Sequence, residues 1–531
     1  MMPIQYDADV IVVGSGTVGS NLAYELAKQG KSVLILEAGI WVPRWKIVEN
    51  FRTSPRKVNR NDPYPNAPWA PNSYTPGYIE NTGEFDFRPG MLRLVGGTTW
   101  HWGGATWRFL PNDMKLRTLY GVGRDWPLSY DELEPYYTRA EYNLGVSGSD
   151  TQDQSGQRRG AAYPPRSAPY PVHNEEETYY FQRLKERIGA EGYEFLHEPH
   201  VRTNRPYDGR PACCGNNNCM PVCPIGAMYS GEVHAKHAQA QGARVIPDAT
   251  VFRIEKGDGG KIAAVHYRTS QGKDVRLTAR YFVMACNGLE TPKLLLMSDV
   301  ANSSDQVGRN LMDHTGIGLQ FLADEPLWTG RGPIQQGGVF NWRDGAFRSE
   351  HAAIKHAINN AVPNQEVTRI LLERGVVGKK LDEQIRHMSA RWVEFSTTFE
   401  MLPHAHNRVQ PSTTRTDALG IPTLKVHYET DDYIARGAAR AREDFARFVA
   451  IMGGTVIEDH TGWQNRDHLM GTVLMGDDPR DSVVNHECRS WDHSNLFMAT
   501  TGVIPASGVV NPTLAAIALA IRSADIIAKE I

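Results

Sequence analysis

Between the apolar run Val10–Val13 and the helical pattern Gly19–Gln29 the chain reads Gly14-Ser15-Gly16-Thr17-Val18-Gly19, and this segment constrains the fold more tightly than any other. Gly14 permits a tight turn, Gly16 lets the backbone approach a pyrophosphate at a helix N-terminus, and Gly19 allows the helix to lie close against the strand. Leu22, Ala23, Leu26 and Ala27 fall on one helix face, Gly30 ends the helix, and Val33–Leu36 forms a second strand. Glu37, eighteen residues past Gly19, stands where an acidic side chain accepts ribose hydroxyls. The chain therefore opens with a βαβ unit that cradles a dinucleotide. The motif does not by itself separate FAD from NAD.

The same strand–turn–helix logic recurs. Tyr281–Ala285 reads as a buried strand, with Thr291 and Pro292 as N-cap and first turn of a helix Lys293–Met297. Leu496–Ala499 followed by Pro512–Lys529 repeats it. These alternations predict an α/β fold. Residues 50–120 and 150–212, rich in Pro, Gly, Asn and aromatics, predict long ordered loops over a ligand. Helical patterns at Leu371–Arg391 and Ile434–Met452 mark a compositionally different stretch, 325–455. A chain of 531 residues exceeds a single core. The predicted division is a dinucleotide-binding domain of residues 1–125, 205–320 and 460–531, with a substrate domain of 126–204 and 321–459 inserted into it.

Apolar residues at 41%, charged residues at 22% and a net charge of −3 describe a soluble globular protein without a dominant field, which disfavours nucleic acid as a partner. The longest uninterrupted apolar stretch, Leu514–Ile521, has eight residues, against roughly 20 for a membrane helix. The first nine residues lack a basic leader, so the chain taken alone reads as cytoplasmic.

Three further segments carry chemistry. Cys213, Cys214, Cys219 and Cys223, four of six cysteines, fall within eleven residues, and Pro224 follows. Disulfides would strain the adjacent Cys213 and Cys214, and zinc is poorly served by a C-C-x4-C-x3-C spacing without histidine, so an iron–sulfur or other metal loop is the better account. Cys286 and Cys488 read as free structural thiols. The run Gly96-Gly97-Thr98-Thr99-Trp100-His101-Trp102-Gly103-Gly104 can lie along a planar ring and present amides to it, or can be a Trp-anchored loop whose glycines merely turn the chain. His468 is a candidate base beside Asp467, though one histidine among 18 is usually solvated or satisfied. Asn511 before Pro512 looks like an N-cap, and the helix behind it would favour negative charge nearby.

The N-terminal glycine motif, the Gly96–Gly104 run, Val307-Gly308-Arg309-Asn310-Leu311-Met312-Asp313-His314 and the C-terminal His468…Asn511 pair together resemble the glucose–methanol–choline (GMC) flavin oxidoreductases along essentially the whole chain. The cysteine loop, continuing Pro-Ile-Gly-Ala-Met, narrows the resemblance to the catalytic subunits of bacterial membrane-associated FAD-dependent sugar dehydrogenases, the group of FAD glucose dehydrogenase and fructose dehydrogenase. The resemblance implies a Rossmann-type FAD-binding domain with an inserted α+β substrate domain. It implies FAD contacts at Gly14, Gly16, Thr17, Val18, Gly19, Glu37, Ala38, Gly97, Thr98, His101, Trp102, Gly103, Gly104, Val251, Asn511 and Thr513. His468 would take the proton of a substrate hydroxyl while hydride passes to flavin N5, and Asn511 would orient the same oxygen. His101 is the candidate point of covalent FAD attachment.

The cysteine loop would hold a [3Fe–4S] cluster through Cys219, Cys223 and one of Cys213 and Cys214. Electrons would pass singly to a multihaem cytochrome c subunit at the periplasmic face of the membrane, with a small partner subunit supplying the export signal. If Asp467 reaches the pocket, its carboxylate favours a neutral sugar or polyol over a sugar acid such as gluconate; it can equally face water. The alternatives are a gluconate-type dehydrogenase, an oxidase using O2, and a non-catalytic electron-transfer subunit.

Overall fold

The computed structural model describes residues 6–54, 61–65, 69–84, 86–174 and 176–531, without the side chains of 458–461. Met1–Gln5, on which part of the leader reading rests, lie outside the described residues.

Five parallel strands form one sheet in the order Leu496–Met498, Ala279–Met284, Ala8–Val13, Val33–Leu36, Arg244–Ile246. Burial on both faces explains its largely apolar sequences. Val10, Val12, Val33, Ile35, Val283 and Phe497 face the helices Thr17–Lys28, Glu232–Ala240 and Thr513–Glu530, whereas Ile11, Val13, Leu34, Leu36, Phe282 and Met284 join the main core on the other side. Each such side chain contributes about 1.5–3 kcal/mol by burial. The first helix sits so close that a Cβ on Gly19 would lie 2.3 Å from the Gly14 carbonyl oxygen and 2.9 Å from the Ala285 Cβ.

Six strands build a second, antiparallel sheet in the order Thr455–Gln464, Gly316–Leu322, Trp392–Phe399, Ile354–Asn359, Gly337–Val339, Phe195–His197. One face lies on the helix Asp432–Ile451, where Phe448 stacks on Phe395 and meets the His356 ring edge. The period of two then turns Lys355, Ala357 and Asn359, with Ser396 and Thr398, toward a cavity. This sheet is thus mainly apolar on its helix side, where His356 meets Thr397 and Asp444, and polar on the side that faces the dinucleotide unit.

Several elements differ from the sequence expectation. The helix expected at Lys293–Met297 begins six residues earlier and spans Asn287–Met297. Asn287 starts it, its Oδ1 accepting the N–H groups of Leu289 and Glu290. Pro292 is tolerated inside because the carbonyl it cannot serve, that of Gly288, accepts the Thr472 hydroxyl at 2.7 Å. Pro512, not Asn511, occupies the N-cap of Thr513–Glu530, since the Asn511 side chain is engaged elsewhere. Leu371–Arg391 divides into Asn364–Glu373 and Gly378–Arg391, with Gly375 at φ +73° ending the first. The region 150–212 holds a helix, Tyr179–Ala190, in place of a continuous loop; the Thr178 hydroxyl caps it, and Tyr180, Phe181, Leu184 and Ile188 bury one face. No helix among the described residues is long and apolar enough to cross a membrane.

Gly19→Ala is expected to cost about 1–3 kcal/mol through overpacking, seen as a lower thermal midpoint at fixed scan rate; an unchanged midpoint would contradict the close helix–strand approach.

Candidate active site

The dinucleotide cleft begins where two glycine segments cross. Gly16 forms a bridge with Gly96, and a Cβ on Gly97 would touch the Gly16 Cα at 3.0 Å. A Cβ on Gly16 would meet nothing within 4 Å, because that direction opens into the cleft. Glu37 accepts the Ser15 amide at 3.0 Å, the Ser15 hydroxyl at 2.6 Å and the Gly39 amide at 2.9 Å. Its carboxylate is therefore held rigidly at the edge of the cleft, where Ala38 and Val251 also lie.

At this end the sequence reading missed a buried ionic group. Arg93 and Lys293 flank Glu290 at 2.8 and 2.7 Å. Burial raises the Glu290 pKa, but Arg93 and Lys293 together hold it down to about 2. Cys286 lines the same space, its thiol pushed up to about 12 by burial and donating to the Val13 carbonyl. That protonated state suits the structural reading of this cysteine.

Toward the antiparallel sheet the cleft widens into a cavity of about 400 Å³. Thr17, Val18, Thr98, His101, Trp102, Gly103, Gly104, His468, Asn511 and Thr513 all line it, and the two spaces share Gly16, Thr98, Ala285 and Asn287. Gly14, Glu37, Ala38, Gly97 and Val251 line the narrower end. Among the expected dinucleotide residues only Gly19 lies off the cleft, serving helix packing instead. Trp102 is fixed by its indole N–H donating to the Tyr229 carbonyl at 2.8 Å, and the buried His101 ring lies against Tyr64.

His468 and Asn511, 43 positions apart in sequence, meet at the cavity wall: Asn511 Nδ2 lies 2.9 Å from His468 Nε2. On the other side of the ring, His468 Nδ1 lies 2.8 Å from His314 Nδ1. His314 is fully buried, its Nε2 at 3.1 and 2.9 Å from the carbonyl oxygens of Ser507 and Gly508. Burial, aided by the Lys355 charge, lowers its pKa to about 4. Lys355 donates to Asn511 Oδ1 at 2.7 Å, and burial lowers its pKa to about 8. The backbone of this segment is held by Asp313, whose carboxylate accepts the N–H groups of Arg466 at 2.8 Å, Asp467 at 3.2 Å and His468 at 2.9 Å.

Asp313 and His314 end the Val307–His314 motif, whose sequence alone assigns a role to neither. Lys355 was missed altogether; its only signal is a lysine in a short strand, Ile354–Asn359, that alternates apolar and polar residues except at His356–Ala357. Asp467 does line the cavity, yet its carboxylate accepts the Gly90 amide at 2.7 Å and shares the space with Lys355 and Arg466. A cavity with these cations does not repel acids as Asp467 alone would.

In the cysteine loop the four thiols differ in exposure. Cys214 is exposed, Cys213 half-buried with its Sγ near the Gly215 amide, and Cys219 and Cys223 are buried. Among the described residues no group of three or more His, Cys, Asp or Glu side chains is placed to hold a metal ion.

Residues 9–316 and 403–520 match the two parts of the family described as GMC oxidoreductase. The chain belongs to the GMC oxidoreductases. It is 43% identical to the fructose dehydrogenase large subunit of Gluconobacter japonicus, over 99% of this chain and 98% of that one. It is 27% identical to the 2-methyl-1,2-propanediol dehydrogenase of Mycolicibacterium austroafricanum, over 98% and 95% of the two chains. Among solved structures, an Aspergillus oryzae formate oxidase variant superimposes with a TM-score of 0.67 at 14% identity, covering 99% of both chains, a likeness of fold. This GMC oxidoreductase is an FAD-dependent enzyme acting on CH–OH donors. The residues fit FAD: Gly16 leaves open the space a Cβ would take, and the helices Thr17–Lys28 and Thr513–Glu530 both begin at the cavity.

His314, at about 4, and His234, buried and lowered to about 3, titrate near 6.5 when unfolded. From pH 6.5 downward the unfolded chain binds protons that the folded one refuses, so stability is lost as pH falls toward these values. At about 1.4 kcal/mol per unit, His314 alone accounts for about 3 kcal/mol by pH 4. Denaturant midpoints at pH 7 and pH 4.5 check this; equal midpoints would contradict neutral burial of both rings.

Proposed function

We propose that this enzyme is a dehydrogenase that oxidises a hydroxyl of a neutral sugar or polyol and delivers the electrons to a protein acceptor, not to NAD or O2. The observation that carries the proposal is the pairing of His468 Nε2 and Asn511 Nδ2, 2.9 Å apart on the wall of a cavity continuous with the dinucleotide cleft. FAD, when bound, supplies a two-electron acceptor for the hydride of the carbinol carbon.

The chain's own residues handle the proton and the oxygen. A substrate hydroxyl that takes the place of the Asn511–His468 hydrogen bond gives its proton to His468 Nε2, and the freed Asn511 amide donates to the same oxygen as negative charge develops there. The N-terminus of Thr513–Glu530 lends further positive potential to this end of the cavity. Asn359, Ser396 and Thr398, on the antiparallel sheet, and Gln335, beside Gly103, line the cavity and offer donors and acceptors of the kind that bind sugar hydroxyls.

The neutral-sugar reading is supported by the name of the 43% relative, a fructose dehydrogenase, and not by the charge of Asp467, which Lys355 and Arg466 offset. A protein acceptor is supported by that relative being a large subunit. The finer reading places an iron–sulfur relay at Cys213–Cys223, with a cytochrome c partner at the periplasmic face. It draws on the crowding of four thiols in eleven residues and on Met220, in the same loop, lining the cavity. Iron and acid-labile sulfide in anaerobically purified protein are the expected result; their absence would remove the relay. Covalent FAD at His101 is a separate part of the proposal, checked by whether acid precipitation leaves the yellow colour in the pellet.

His468→Ala is expected to retain FAD and lose about 10²- to 10⁴-fold in kcat; wild-type turnover would remove the base assignment. With an artificial electron acceptor, fructose, glucose and sorbitol are expected to outpace gluconate. A gluconate preference, or stoichiometric hydrogen peroxide in air, would overturn the substrate or the acceptor part respectively.

A further inference from the structure

We infer that His314 and Lys355 are positioning residues that fix the tautomer of His468 from opposite ends of one hydrogen-bond chain, so that its Nε2 presents a lone pair to substrate. This rests on the reading of His468 as the base. The chain runs from the carbonyls of Ser507 and Gly508 through His314, His468 and Asn511 to Lys355.

Its two ends permit only one direction. Carbonyl oxygens accept and never donate, so His314 Nε2 carries its proton. Burial and the nearby Lys355 charge keep this imidazole neutral, which leaves Nδ1 as its acceptor atom. His468 Nδ1, 2.8 Å away, must then donate. At the other end a lysine ammonium only donates, so it holds Asn511 with Oδ1 toward Lys355 and Nδ2 toward His468. An amide N–H aimed at His468 Nε2 from 2.9 Å requires a lone pair there.

Both ends therefore demand the same tautomer. The opposite one would set two lone pairs against each other at His314 and two N–H groups against each other at Asn511. Glu198 favours the charged form of Lys355, against the repulsion of Arg343 and Arg466. The other ionisable groups around His468 are Asp313, which holds its backbone, and Asp467 and Arg466, its neighbours on the cavity wall.

His314→Phe removes the acceptor and His314→Gln restores one. The expected result, in FAD-loaded enzyme, is a fall in kcat of about ten- to a hundredfold for H314F, with KM changed less than about threefold and most of the rate recovered in H314Q. Packing alone would lower FAD content, move kcat and KM together, and leave H314Q no better than H314F; that result overturns the inference, as does H314F turning over at the wild-type rate. If H314F does not fold, the far end decides. Lys355→Met loses the donor and Lys355→Gln keeps an amide N–H, so a slow K355M with a recovered K355Q supports the chain, and a K355M of wild-type kcat overturns it. His468→Ala, assayed alongside, separates the two readings: an active H468A defeats the base assignment itself, whereas an inert H468A beside a wild-type H314F defeats only the tautomer chain.

Discussion

Three consecutive peptide N–H groups, those of Arg466, Asp467 and His468, converge on one buried carboxylate, that of Asp313, and the site is built on this contact. It bends the chain sharply enough to put Asp467 at φ +64°, a left-handed conformation in which Asp is better tolerated than most residues. Each donor would cost about 1–3 kcal/mol if buried without a partner, so the carboxylate and the turn require one another. The next residue, His314, approaches the ring of the same histidine whose backbone Asp313 holds. One dipeptide thereby sets both the position and the orientation of His468, and it does so just ahead of the strand Gly316–Leu322, inside a hydrogen-bonded sheet.

The opposite wall follows from strand geometry. On Ile354–Asn359 the alternation sends Ile354, His356 and Ile358 away from the cavity, with His356 against the helix Asp432–Ile451, and Lys355, Ala357 and Asn359 toward it. A lysine here is buried at a cost, which shows in its lowered pKa, and its compensation is the hydrogen bond to Asn511. That bond also explains why Asn511 leaves the helix cap to Pro512: the amide cannot serve both the helix and the cavity.

Legibility in the sequence followed the range of the interactions. The βαβ opening was readable because Gly14, Gly16, Gly19 and Glu37 act within one local unit, and the strand Val33–Leu36 has the bounds expected. The helix Tyr179–Ala190 was hidden by prolines and glycines around it, although its Thr cap and apolar face are local signals. Asn287 took the helix start from Thr291 through a tertiary contact, Thr472 to Gly288, that no local pattern announces. The His468…Asn511 pairing entered through resemblance, since a bare histidine carries little signal. Lys355 could not be found, because its meaning depends on two segments 156 positions apart meeting across the cavity. The cysteine loop is the converse: its four thiols crowd together in one dimension, while in three Cys214 is exposed and Cys219 and Cys223 are buried.

The most direct measurement of the central claim is anaerobic mixing of the FAD-loaded enzyme with a sugar deuterated at the carbon that is oxidised, followed at the flavin absorbance band. The account predicts that the colour bleaches in wild type, more slowly with the deuterated sugar, and that His468→Ala bleaches far more slowly than wild type with either sugar. A flavin that stays oxidised with every neutral sugar and polyol, or that bleaches at the wild-type rate in His468→Ala, would contradict it.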